Sequence, residues 1–89
     1  MESRTVKIIN RLGLHARAAA KLVALSGEYT AKITLARDEK EIDTKNIMSV
    51  MLLAAGPETE LLLKADGPDE EAAINAVANL IADRFGEPE

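Results

Sequence analysis

Gly13-Leu14-His15-Ala16-Arg17-Ala18-Ala19-Ala20-Lys21-Leu22-Val23 is the stretch from which the rest of the chain can be read. Ala16, Ala19, Ala20 and Val23 recur at i, i+3, i+4 and i+7, and Ala18, Leu22 and Leu25 form a flanking row. Alanine and leucine are strong helix formers, and Gly27 stands where a helix stop is expected. The spacing predicts a helix from Ala16 to Ser26. His15, the single histidine of the chain, then falls at the helix start, and Arg17 follows two residues later. An imidazole is a nucleophile at neutral pH, since its unperturbed pKa is ~6.5. The unpaired N–H groups of a helix start favour an incoming anion. A guanidinium can hold phosphate oxygens with a planar fork of donors. Together these three features suit phosphoryl chemistry.

Outward from the helix the period changes. Residues 5–9 alternate, with Val6 and Ile8 on one face, and read as a first strand. Gly13 lies in the loop before His15 and permits an unusual backbone angle there. Residues 31–35 and 41–43 read as a hairpin across the polar turn 37–40. Asn46 is a favoured N-cap for a helix over 47–55, which Gly56-Pro57 ends. Residues 60–66 form the fourth strand, with Leu61, Leu63 and Ala65 on one side. Asp69 is the expected cap of the last helix, and Glu70 and Glu71 complement its dipole. Ile74, Val77, Ala78, Ile81 and Phe85 fall at i, i+3, i+4, i+7 and i+11, an amphipathic helix reaching Phe85. The order is β-α-β-β-α-β-α. Alternating strands need one covered and one wet face, which predicts an α+β fold: an antiparallel sheet with its helices on one side.

Composition bounds the function. A chain of 89 residues suits one domain, 1–89. Hydrophobic residues make up 47% and aromatics 2%, so the core must be aliphatic. There is no cysteine, hence no disulfide and no thiolate metal site. A net charge of −4 argues against a nucleic-acid binder that neutralises phosphates. One Tyr and one Phe offer no stacking platform. Neither a signal peptide nor a long apolar span is present, so a cytoplasmic protein without stable membrane insertion is expected. No aspartate or second histidine adjoins His15, and there is no Gly-rich Walker loop, which predicts no metal, no cofactor and no hydrolytic triad.

The segment GLHARAAAKLV closely resembles the active-site segment of the histidine-containing phosphocarrier (HPr) proteins of the bacterial phosphoenolpyruvate:sugar phosphotransferase system. Thr44-Lys45-Asn46-Ile47-Met48-Ser49-Val50-Met51 resembles the start of that family's second helix, and Gly67-Pro68-Asp69-Glu70-Glu71-Ala72 the start of its third. The resemblance covers essentially the whole chain. It implies a four-stranded sheet of order 1-4-2-3 with three helices on one face, an open-faced β-sandwich. It implies that enzyme I phosphorylates His15 at Nδ1 and that His15 passes the group to an enzyme IIA domain. Arg17 and the backbone N–H groups of Ala16 and Arg17 would steady the phosphoryl oxygens. The protein would be a monomeric carrier and not an enzyme in its own right. The short second helix would dock partners, through Ile47, Met48 and Met51, with Ala20 of the first helix beside them.

Three positions depart from the family pattern. Ala18 replaces the usual proline, which a first helical turn favours but does not require. Asn46 stands where many members have a serine phosphorylated for regulation; asparagine can cap the helix but has no hydroxyl. Ala24, Gly27 and Ser49 occupy positions where some members carry lysines. A regulatory, nitrogen-type phosphorelay or binding module without sugar transport is therefore the alternative reading.

Overall fold

A computed structural model describes residues 1–89. Its elements in chain order are β1 (Glu2–Lys7), α1 (Ala16–Ser26), β2 (Lys32–Arg37), β3 (Lys40–Asp43), α2 (Ile47–Leu52), β4 (Glu60–Asp66) and α3 (Glu70–Ala82), followed by a short turn over Arg84–Gly86. The sheet order is β1-β4-β2-β3, and every pairing is antiparallel. β4 is central: Leu61 pairs with Val6 of β1, and Leu63 with Leu35 of β2. The expected architecture and strand order are therefore observed.

Alternation on β4 sorts the two faces of the sheet. Leu61, Leu63 and Ala65 are buried, while Glu60, Leu62 and Asp66 are exposed. The buried face continues through Ile33 and Leu35 of β2 and meets Leu22 of α1 and Ile74, Val77 and Ile81 of α3 in one core. Every large member is aliphatic except Phe85. Burial of such side chains contributes roughly 1.5–3 kcal/mol each, which is how a sheet of four short strands holds three helices without disulfides.

Several boundaries differ from the sequence expectation. β1 begins and ends earlier than 5–9; Ile8 leaves the ladder but stays fully buried, held by hydrogen bonds from its N–H to Thr59 O and from Glu58 N–H to its carbonyl. On α1 the inward row is Ala18, Ala19, Leu22 and Ser26, whereas Ala16 and Ala20 are exposed. Alanine fills both rows, so composition could not say which one meets the core. α2 stops at Leu52 and does not reach Ala55, because Ala54 turns to φ 53°. The Arg37 guanidinium donates to the carbonyl of Ala54 at 3.1 Å, holding the turn that follows the helix. α3 stops at Ala82, and Phe85 reaches the core from a left-handed backbone, φ 55°. The helical period places Phe85 on the apolar face, and the ring is buried, but the helix expected to carry it ends at Ala82.

The start of α3 is also built differently. The Asp69 side chain does not cap it. Its carboxylate reaches across the fold and accepts from Thr30 N–H at 2.8 Å and Ala31 N–H at 2.7 Å. Those donors hold the Asp69 carboxyl below its ordinary pKa, Thr30 more than Ala31. Glu70 accepts from Gly67 N–H at 3.1 Å, so it does more than complement a dipole. Asn46 caps α2 as expected, accepting from Ser49 N–H at 3.1 Å.

Candidate functional site at the start of the first helix

The loop 10–15 sets His15 in place. Gly13 has φ 67°, and a Cβ there would lie 2.6 Å from the Ala55 carbonyl oxygen and 2.9 Å from Gly56 Cα. Only glycine fits such an approach without strain. Leu14 N–H donates to the same Ala55 carbonyl at 2.9 Å, so the segment after α2 buttresses the loop. His15 follows as the N-cap of α1 in extended conformation, and its carbonyl accepts the first helical bond, from Ala19 N–H at 2.8 Å.

The two ring nitrogens of His15 have different partners. Nδ1 turns back over the helix start and accepts from Arg17 N–H at 3.3 Å. Nε2 points the other way and meets the Glu87 carboxylate. The His15 side chain is 27% exposed, and that of Glu87 13%. The N–H groups of Ala16 and Ala18 have no backbone partner, and no acidic residue lies in the first turn. An imidazole edge, free amide donors and positive helix potential thus converge at one open surface. Arg17 is exposed and lines the same cleft as His15, Leu12 and Pro88.

Glu87 is held from behind by Asn10. Asn10 is fully buried and donates through Nδ2 to Glu87 Oε1 at 3.0 Å and to the Gly13 carbonyl at 2.8 Å. That amide, with the His15 contact second, holds the Glu87 carboxyl below its ordinary pKa. Neither Asn10 nor Glu87 was singled out from sequence. They sit 77 residues apart, and Glu87 lies in the tail after the last helical period, where Gly86 and Pro88 read only as a helix stop.

The expected docking residues are all exposed: Met48 at 66%, Met51 at 43% and Ile47 at 39%, with Ala20 exposed on α1. Leu12 and Leu52 are also exposed large apolar side chains, at 65% and 69%. Leu12, beside His15, sits in the loop where no periodicity could mark it, and Leu52 reads as one more core leucine of α2.

Known proteins share this construction. A model of the family described as "PTS HPr component phosphorylation site" matches residues 2–83. The phosphocarrier protein HPr of Cupriavidus necator is 49% identical over the full length of both chains, and that of Pseudomonas aeruginosa is 48% identical, again over all of both. The crystal structure of an HPr from Thermoanaerobacter tengcongensis superposes with a TM-score of 0.96 at 38% identity, covering all of each chain. With agreement at this level over its length, the chain belongs to the HPr phosphocarrier family of the phosphotransferase system.

Proposed function

We propose that His15 accepts a phosphoryl group from phosphorylated enzyme I and passes it to an enzyme IIA domain. The observation that carries this reading is the bond from Arg17 N–H to His15 Nδ1. A nitrogen that accepts a hydrogen bond has a lone pair and no proton, which is the state a nucleophile needs. At 3.3 Å the bond is long and weak, so an arriving phosphoryl group displaces it at small cost. The freed Arg17 N–H and the Ala16 N–H then face the phosphoryl oxygens at the positive end of α1. The Arg17 guanidinium neutralises those oxygens in transit. The phosphoramidate bond formed is labile enough to be passed on, which is what a carrier requires.

The protein acts as a carrier between partners, in the cytoplasm and as a monomer, since a second copy over His15 would close the face both partners use. Its docking surface is the exposed apolar set Ile47, Met48 and Met51, with Ala20. With Asn46 capping α2, control through a phosphoserine at that position is absent. A relay serving regulation in place of sugar uptake would use the same site; the enzyme IIA domain that this protein labels separates the two.

The test is phosphoryl transfer from phosphoenolpyruvate through purified enzyme I to this protein and to His15→Ala. An acid-labile phosphate is expected on the parent, followed by intact mass, and none on the variant. Absence of label on the folded parent with several enzyme I sources would overturn the proposal.

A further inference from the structure

We propose that Glu87 is a positioning residue for phosphoryl transfer: its carboxylate accepts the Nε2 proton of His15, keeps Nδ1 turned to the helix start, and offsets the positive charge that forms on the ring. The transfer part of this inference rests on the carrier reading above; the geometric part stands without it.

The first argument is the proton count on the ring. Nδ1 accepts from Arg17 N–H, so the one proton of the neutral imidazole is on Nε2. The partner there is the Glu87 carboxylate, an acceptor with no proton to give. The two contacts agree on a single tautomer.

The second argument is that Glu87 is built into place. Asn10 occupies Oε1, which leaves Oε2 to His15. Glu87 N–H donates to the Arg84 carbonyl at 2.9 Å. Just upstream, Phe85 is fully buried and its carbonyl accepts from Lys21 Nζ at 2.6 Å. The carboxylate is therefore delivered to the ring by a segment anchored at its root. Other charges around the ring are Arg17 and Arg11 from its own side and Lys21 from α1. Arg11 pairs with Glu89 at 2.7 Å, so Glu87 is the one carboxylate in contact with His15.

The chemistry has a use for such a group. The Nδ1 lone pair forms the new N–P bond as the bond from phosphorus to the donor's leaving atom breaks, and that electron pair departs with the donor atom. No proton leaves the ring, so Nε2 keeps its proton and the ring becomes a phosphoimidazolium cation. A carboxylate on the far edge of the ring offsets that charge without crowding the phosphoryl oxygens. The same device, a carboxylate behind a histidine, orients the ring in other group-transfer sites.

The experiment compares the parent with Glu87→Ala and Glu87→Gln by proton NMR of the unphosphorylated proteins and by steady-state transfer from enzyme I. In the parent, the His15 Nε2 proton should give a far-downfield, slowly exchanging resonance. It should move upfield in Glu87→Gln, which keeps an acceptor without the charge, and be lost to exchange in Glu87→Ala. The kcat for transfer should fall about tenfold in Glu87→Ala, with KM for the carrier held and Glu87→Gln between the two. Circular dichroism and a melting curve identify a variant that has simply unfolded, in which case Glu87→Gln decides. An identical ring-proton resonance in all three folded proteins, or an unchanged kcat in both variants, would overturn the inference. Should the parent accept no phosphoryl group, the carrier reading fails, while the ring-proton series still decides whether Glu87 holds the ring.

Discussion

α1 and α3 begin alike and end up with opposite roles. Each follows a glycine of positive φ, Gly13 at 67° and Gly67 at 155°. Each glycine is backed against the main chain of another segment; a Cβ would lie 2.6 Å from Ala55 O in one case and 2.7 Å from Ala31 Cα in the other. The difference lies in what meets the first turn. α3 has Glu70 and Glu71 there, and Asp69 just ahead, itself preceded by a proline, accepts from the N–H groups of Thr30 and Ala31 in the segment leading into β2. α1 has no acid in its first turn and a histidine for a cap. A helix start filled with its own carboxylates is a structural joint, and one left without them holds its potential for an anion that arrives later.

Gly13→Ala breaks that scheme most strongly. Both the left-handed backbone and the close carbonyl oppose a side chain, and a loss of about 3 kcal/mol or more is expected in urea unfolding. Gly67→Ala should also destabilise. Among molecules that remain folded, however, only Gly13→Ala should slow phosphoryl acceptance, since Gly13 places His15. Equal transfer defects per folded molecule in both would show that the loop's placement is not used.

Arg17→Ala comes next. Arg17 is exposed and its guanidinium has no partner within the protein, so stability should stay within about 0.5 kcal/mol while transfer slows by about tenfold or more. Smaller still is Ala16→Glu, which gives α1 the acid that α3 already has. It should raise stability by about 0.3–1 kcal/mol and yet impede phosphoryl acceptance by repulsion. Glu71→Ala should lose a similar amount of stability and leave transfer unchanged. If Ala16→Glu transfers as well as the parent, the empty first turn is not what the phosphoryl group reads.

The mildest test is acid. Asp69 has a folded-state pKa below its unfolded one, through the N–H groups of Thr30 and Ala31. The unfolded chain therefore binds the proton more readily. The stability Asp69 contributes is complete above the ordinary carboxylate value of ~3.9 and is lost as pH falls through the folded value. Asp69→Asn should flatten the decline in melting temperature between about pH 5 and pH 2. Glu70 and Glu87, both also lowered, act with the same sign and leave a residual slope.

What could be read from the chain, and what could not, divides along the same line. His15, Arg17, the cap at Asn46 and the span of β4 are local patterns, and each stands where periodicity or residue type put it. The misplacements concern contacts that the neighbouring residues do not encode. Asp69 has the sequence of a helix cap, but its carboxylate finds two strand-side donors 38 and 39 residues away. Phe85 continues a helical period with no breaker before Gly86, yet the backbone turns left-handed at Arg84 to bring the ring into the core. The inward row of α1 was ambiguous because alanine is small enough for either side. Glu87 carries no local signal at all; only the packed tail brings it to His15.

The pairing of β1 with β4 has a consequence for how the protein comes into being. It joins Glu2 to Ala65, and the His15–Glu87 contact spans 72 residues. Contacts so distant along the chain carry a loop-closure cost that local helices do not. A chain whose tail has not docked lacks the wall behind the ring. Competence at His15 is thus an end-point property, and a partner that reads that ring in its finished setting is reading whether the whole molecule has folded.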